Sequence, residues 1–304
     1  MINVCLLGTG GMLPLPDRAL TSLYVEYSGK AVLVDCGEGT QVAVRRAGLK
    51  LSKIEAVFIT HAHADHIAGL PGLLLSVGNC SRTRPLGIYV ADTAADAVRA
   101  VISICDNLPY DIEYHIFPHD AAQSFSLDSV DTRLTVDTIV LSHRVDCVGY
   151  SFSLSLRAEF LPGKARALDV PVSMWRELHE GGTVTLENGT VISSADVTGE
   201  LRPPIKITYI TDTLPIDAIA EFAYGSELFV CEGMYGRTEK KPSMNEKKHM
   251  LMQDACALAE KAKVKRLWLT HYSPAEKDPS VYEDELKRIF SGVVISSDGM
   301  KLSI

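Results

Sequence analysis

Four side chains of metal-ligand type fall within six positions, directly after a short apolar strand. The run is Ala56-Val57-Phe58-Ile59, then Thr60-His61-Ala62-His63-Ala64-Asp65-His66. Imidazole and carboxylate suit borderline cations such as zinc. An extended turn presents His61 and His63 on one side. Asp65 and His66 lie farther along the chain and suit a second cation a few ångströms away. Small Ala62 and Ala64 leave room for both. A binuclear site needs more ligands than these four, so the chain must fold to bring other strand ends to the same place.

Candidates for those ends are present. His271 follows the apolar run Leu267-Trp268-Leu269-Thr270, the same context as His61. Asp212 follows Ile207-Thr208-Tyr209-Ile210, where a carboxylate can bridge two cations. His143 follows Thr138-Ile139-Val140-Leu141. Strand ends drawn from distant parts of a chain are where α/β active sites lie. His115, His119 and His179 suggest no role.

The rest of the pattern agrees. Short runs rich in Val, Ile and aromatics at 4–7, 22–27, 31–34, 56–60, 87–90, 207–210, 228–231 and 266–270 read as strands. Between them, 94–105 and 250–261 put apolar residues on one helical face. Strands alternating with helices imply an α/β protein. From Leu154 to Pro204 the reading becomes irregular, with few apolar residues at a core period. There Asn188-Gly189 marks a hairpin between 183–186 and 190–192. That stretch is expected to be an arm protruding from the core.

Composition removes several classes. Lys and Arg number 30 against 38 Asp and Glu, a net charge of -8, which excludes binding nucleic acid by bulk positive charge. A local basic patch remains open. Seven cysteines without a CxxC pair, several inside apolar runs, read as reduced thiols rather than a disulfide framework. The first residues, Met1-Ile2-Asn3-Val4, read as a strand rather than a signal peptide, and no run approaches 18 apolar residues. The expectation is a cytoplasmic protein with no membrane partner. Gly8-Thr9-Gly10-Gly11 follows a strand but lacks the third glycine of a dinucleotide fingerprint, and Pro14 and Pro16 stand where a helix should begin. It reads as a turn lining the site.

His61-x-His63-x-Asp65-His66 resembles the signature of the metallo-β-lactamase superfamily. The neighbouring motifs resemble its ribonuclease Z branch, the tRNA 3′-processing endonucleases. They are Leu7-Gly8-Thr9-Gly10-Gly11 with Arg18, Asp35-Cys36-Gly37-Glu38-Gly39-Thr40-Gln41, Gly69-Leu70-Pro71-Gly72-Leu73-Leu74, His143 with Gly149-Tyr150, Asp212-Thr213, Cys231-Glu232-Gly233 and Leu269-Thr270-His271-Tyr272-Ser273. They occur in family order along almost the whole chain.

The resemblance implies one domain over 1–304, a four-layer αβ/βα sandwich, with 154–204 inserted as a substrate-binding arm. It implies two zinc ions per chain, although the donor set also accepts manganese or iron. His61, His63 and His143 would hold one cation, Asp65, His66 and His271 the other, and Asp212 would bridge. Asp65, His249 and Glu232 would be catalytic, with His249 at the scissile phosphate and Glu232 as its acidic partner. The implied reaction is removal of the 3′ trailer of precursor tRNA by a metal-bridging hydroxide. The implied assembly is a homodimer in which one subunit's arm reaches tRNA at the other's site.

The chain departs from the family pattern in three places. Val170-Pro171-Val172 stands where the arm's Gly-Pro motif is expected. The arm carries five basic residues (Arg157, Lys164, Arg166, Arg176, Arg202) against seven acidic ones. Ser273-Pro274-Ala275-Glu276 replaces the usual Arg-Tyr ending. Within the arm, Lys164, Arg166 and Trp175 are the expected RNA contacts, Trp175 by stacking on a base. The alternative these departures raise is hydrolysis of smaller phosphodiesters, such as cyclic nucleotides. A non-catalytic RNA-binding subunit is the remote alternative.

Overall fold

A computed structural model describes residues 1–304, the side chains of Thr238, Lys241 and Ser243 excepted. The chain opens with an antiparallel meander: β1 (Ile2–Gly8), β2 (Ser22–Tyr27) and β3 (Lys30–Val34). Ser28 and Gly29 both have positive φ, 52° and 80°, the conformation that a two-residue hairpin loop needs. Next come α1 (Thr40–Arg46), β4 (Ile54–Ile59), α2 (Ala64–Ile67), α3 (Leu70–Gly78), β5 (Leu86–Ala91), α4 (Asp92–Ile102) and β6 (Ile112–Phe117). From β3 to β6 the pairing is parallel.

The chain then builds β7 (Ser124–Ser126), β8 (Leu134–Leu141) and β9 (Cys147–Leu154). A separate unit spans Ser153–Ile205. It contains α5 (Pro162–Ala167), α6 (Trp175–His179), the hairpin β10 (Thr183–Thr185) and β11 (Val191–Ser193), and α7 (Ser194–Val197). The remainder is β12 (Ile205–Ile210), α8 (Ala218–Phe222), β13 (Leu228–Glu232), α9 (Lys241–Lys247), α10 (Met252–Lys261), β14 (Leu267–Thr270), α11 (Glu283–Ile289), β15 (Val293–Ile295) and β16 (Met300–Ser303).

In the larger unit, Met1–Phe152 with Lys206–Ile304, the strands form two seven-stranded sheets. Their orders are β16-β1-β2-β3-β4-β5-β6 and β15-β14-β13-β12-β9-β8-β7. Strand β4 shows how they stack. Val57 and Ile59 point one way, into a core with Leu70, Leu73, Leu74 and Val98 of α3 and α4. Phe58 points the other way and meets Tyr150 and Phe152 of β9, each at 5.3 Å between ring centroids. The second sheet buries its outer face under α8, α10 and α11 through Ile219, Ala255, Leu258 and Leu286. The result is helix, sheet, sheet, helix, the expected four layers. With both faces covered, central strands such as β4 are buried along their whole length.

The Ser153–Ile205 unit has a core of its own: Ala165, Val170, Leu178, Val184, Ile192 and Val197. The sequence reading missed it for a physical reason. Each short element donates only one or two of these residues, so no window shows a period. The expected hairpin is present, with Gly189 at φ 82° in its turn.

Candidate metal centre

Ligand-type side chains converge at the carboxyl ends of β3, β4, β12 and β14, joined by those of two loops. His61 leaves β4, His63 caps α2, and Asp65 and His66 lie on α2. Glycines allow the loops to cross at contact distance. A Cβ on Gly69 would lie 1.9 Å from the Gly37 carbonyl oxygen, and one on Gly37 would lie 2.3 Å from that of Asp65. A Cβ on Gly11 would lie 2.6 Å from the His271 ring, so the Gly8–Gly11 turn lines the site as expected. Four non-glycine residues here, Met12, Asp35, Asp212 and His271, adopt left-handed backbone with φ from 47° to 67°. Such strain is held at sites where the surroundings over-determine the geometry.

Two clusters with no residue in common result, and a third grouping, Asp212, His249 and His271, spans them. The ligand atoms of His61, His63, His143 and Asp212 lie within 4.8 Å of one another, and so do those of Asp65, His66 and His271. Asp212 faces both. Its Oδ2 is 3.7 Å from the Nε2 atoms of His61 and His143. Its Oδ1 is 3.4 Å from His66 Nε2 and 3.1 Å from His271 Nε2. Asp65 Oδ2 lies 3.5 Å from each of the latter two nitrogens and accepts from the Met12 amide at 2.7 Å.

A buried nitrogen without a hydrogen bond is costly unless something else fills that role. His66 Nε2 and His271 Nε2 are buried and have no hydrogen-bond partner among the described residues. These orphaned atoms, aimed at two carboxylates, fit a cation. At His66, His143 and His61 the opposite ring nitrogens fix the orientation, whereas His271 Nδ1 has no hydrogen-bond partner among the described residues. His66 Nδ1 donates to Asp35 Oδ2 at 2.8 Å, and His143 Nδ1 donates to the Lys248 carbonyl at 3.0 Å. His61 Nδ1 lies 3.1 Å from Thr60 Oγ1, which donates to Asp35 at 3.0 Å. Asp35 therefore serves both clusters, directly and through Thr60. In the sequence Asp35 stands only as part of the Asp35–Gln41 motif, with no role of its own. Its signal was available: a carboxylate at a strand end, as for Asp212.

Charge follows from burial and neighbours. Burial pushes the His61 and His143 imidazoles down, His143 to about 4, and so favours the neutral, ligating form. Burial opposes charge on His66 too, but Asp35 and Asp212 raise it well above the usual value. Burial works against ionised Asp212, yet His271, His66 and His61 hold it well below the usual carboxylate range.

His249 stands beside the clusters. Its Nδ1 lies 3.1 Å from Glu232 Oε2, and Glu232 Oε1 accepts from the Thr213 amide at 2.5 Å. Burial lowers its pKa, but the Glu232 carboxylate outweighs that and raises it to about 8. All seven expected ligands, His249 and Glu232 thus lie in the larger unit. Lys164, Arg166 and Trp175 lie in the other. There the Trp175 indole donates to the Val170 carbonyl at 3.0 Å, and the Arg166 guanidinium sits over its ring at 5.6 Å. Lys164 Nζ donates to the Thr198 carbonyl at 2.9 Å.

The altered sequence after His271 also has a place in the structure. Arg18 donates to the carbonyls of Glu276 and Lys277 at 2.9 and 3.1 Å, which ties that loop to the Gly8–Gly11 turn. All seven cysteines are free, and among the described residues no helix is long and apolar enough to cross a membrane.

Comparison with known proteins places this geometry. Residues 2–105 match the family model described as anti-Pycsar protein Apyc1. Ribonuclease Z of Clostridium acetobutylicum is 42% identical over 300 residues, 98% of this chain and 96% of that protein. Ribonuclease Z of Alkaliphilus oremlandii is 42% identical over 315 residues, 100% of this chain and 99% of that protein. The crystal structure of human tRNase Z, short form, superposes with a TM-score of 0.66 at 23% identity, covering 99% of each chain, and so shares the fold. With two full-length relatives at that identity, the chain belongs to the ribonuclease Z family.

Proposed function

We propose that the chain is a metal-dependent endoribonuclease that removes the 3′ trailer of precursor tRNA. The observation that carries this is one carboxylate, Asp212, facing two histidine clusters beside a Glu232-held imidazole, in a chain of this family. His61, His63 and His143 would hold one zinc ion and Asp65, His66 and His271 the other, with Asp212 available to either. The cations, when bound, activate water near neutral pH and neutralise charge on the scissile phosphate. Asp65 is read as the group that assists proton transfer beside them. His249, kept protonated by Glu232, donates a charge-assisted hydrogen bond to the phosphate or a proton to the leaving oxygen.

Residues 154–204 serve as the substrate-binding arm, with RNA contacts at Lys164, Arg166 and Trp175. The cation–π pair of Arg166 and Trp175 offers a charged and an aromatic surface together. The assembly is a homodimer in which one arm reaches the partner's substrate. The seven free thiols fit a reducing cytoplasm.

The test is cleavage of a 3′-extended precursor tRNA with the ends mapped, for the wild type and His63→Ala. The expected result is a single cut after the discriminator base, abolished in the variant. Metal-dependent turnover of a small diester with no cut on tRNA would instead establish the small-phosphodiester activity.

A further inference from the structure

The cleft over Asp65, Asp212 and His249, about 320 Å³, also contains two cations that the steps above leave unused, Arg144 and Lys247. A reciprocal pair of hydrogen bonds delivers them. His143 Nδ1 donates to the Lys248 carbonyl at 3.0 Å, and Lys248 Nζ donates to the His143 carbonyl at 2.9 Å. The neighbour of each residue, Arg144 and Lys247, thereby enters the same cleft. The Arg144 charge is felt at both His63 and His249.

Among the described residues, neither cation has a hydrogen bond or ion pair. That is unexpected beside two carboxylates. The reason is that the carboxylates are already engaged, Asp65 by the Met12 amide and Asp212 by His66 and His271. The surrounding sequence has the same sign. Residues 237–248 carry five basic residues (Arg237, Lys240, Lys241, Lys247, Lys248) against Glu239 and Glu246, in a chain of net charge -8. The arm, five against seven, has the opposite balance.

We infer that Arg144 and Lys247 bind the phosphates flanking the scissile one, which makes a polynucleotide the preferred substrate over an isolated diester. The inference rests on the ribonuclease reading above. A metal centre that acts on one scissile phosphate leaves the flanking phosphates of a polynucleotide to other cations. A guanidinium suits them bidentately and an ammonium as a point charge. Arg144 is exposed and Lys247 half-buried at the rim of the cleft, so solvent reaches both and their contribution must be sensitive to salt.

The experiment is kcat and KM for a 3′-extended precursor tRNA across a salt series. The enzymes are the wild type, Arg144→Gln/Lys247→Gln, Arg144→Lys/Lys247→Arg, and Lys247→Gln alone. Arg99→Gln, on α4, is the control. The double Gln variant is expected to raise KM about tenfold or more while kcat changes little. Its slope of log(kcat/KM) against log salt should be shallower by about 1.4, roughly 0.7 for each lost contact with single-stranded RNA. Lys247→Gln alone should lose about half of that, and needs no change beside His143. The charge-conserving pair should keep the wild-type slope.

An unchanged slope in both Gln variants overturns the assignment while leaving the ribonuclease reading intact. So does a fall in kcat at constant KM, which would place Arg144 in support of the metal centre. A wild type that leaves precursor tRNA uncut overturns both.

Discussion

Asp35 shows how much a site depends on a residue that touches no substrate. It is fully buried, holds His66 directly and reaches His61 through Thr60. Partners of this kind fix ring orientation, and their loss costs about 10–100-fold in metal affinity or activity. With a cation in each cluster, as proposed, Asp35→Ala is expected to weaken both by that order, read by chelator competition. Thr60→Val should weaken only the cation at His61. Loss at a single cluster in Asp35→Ala would refute the shared anchor. Glu232 acts on a different group. Glu232→Gln removes the charge that keeps His249 protonated, so kcat should fall by about 10²-fold or more with little change in KM. An equal fall for small and RNA substrates places the defect in the chemical step; a rise in KM alone would contradict it. Most of these residues were legible from sequence because they stand where apolar runs stop. Arg144 was not, because nothing distinguishes a lone arginine after His143 until the Lys248 clamp is seen.

Among elements, strands buried on both faces read clearly, as β4 does, whereas β9 escaped notice. Its run Cys147-Val148-Gly149-Tyr150-Ser151-Phe152 is broken by Gly149 and Ser151. Both have tertiary reasons. A Cβ on Gly149 would lie 2.3 Å from Ile210 Cδ1, and Ser151 Oγ pairs with Thr208 Oγ1 at 3.1 Å. Neither partner is near in sequence, so no local pattern announces the strand. Strand β4 carries its own anomaly, a buried Glu55. It is bound by buried Arg82 at 2.8 Å and by exposed Arg84 at 2.6 Å. The two arginines make near-equal contacts but should differ greatly in effect. Removing the buried partner leaves buried Glu55 with a solvent-screened contact only and unpairs the Ile54 and Arg84 carbonyls that Arg82 donates to, so Arg82→Ala should cost about 3–5 kcal/mol in urea unfolding. Arg84→Ala removes a solvent-screened contact and should cost about 1 kcal/mol or less. Equal losses would mean that burial does not govern this pair.

At the scale of the whole molecule, the candidate metal centre lies in one unit and the proposed RNA contacts Lys164, Arg166 and Trp175 in the other. Every candidate ligand lies in Met1–Phe152 with Lys206–Ile304, and the Ser153–Ile205 unit has a core of its own. Strands β9 and β12 are neighbours in one sheet, with Ser151 beside Thr208, so the chain leaves and re-enters that sheet at adjacent points. Deleting 155–203 and closing the gap with a short Gly-Ser turn removes no ligand and strands no sheet edge. Metal content should be unchanged, and turnover of a small chromogenic diester should stay within about twofold, as for sites that share no partners. Precursor tRNA should behave differently. A second contact on the same RNA converts weak binding into an intramolecular event, so its loss should raise KM by about tenfold or more. The acidic balance of this unit gives the experiment its discriminating power. If KM for tRNA does not move, the Ser153–Ile205 unit holds no RNA, and the affinity resides in the cleft where Arg144 and Lys247 stand. If small-diester turnover collapses as well, the unit supports the metal centre, and the separation of roles is wrong.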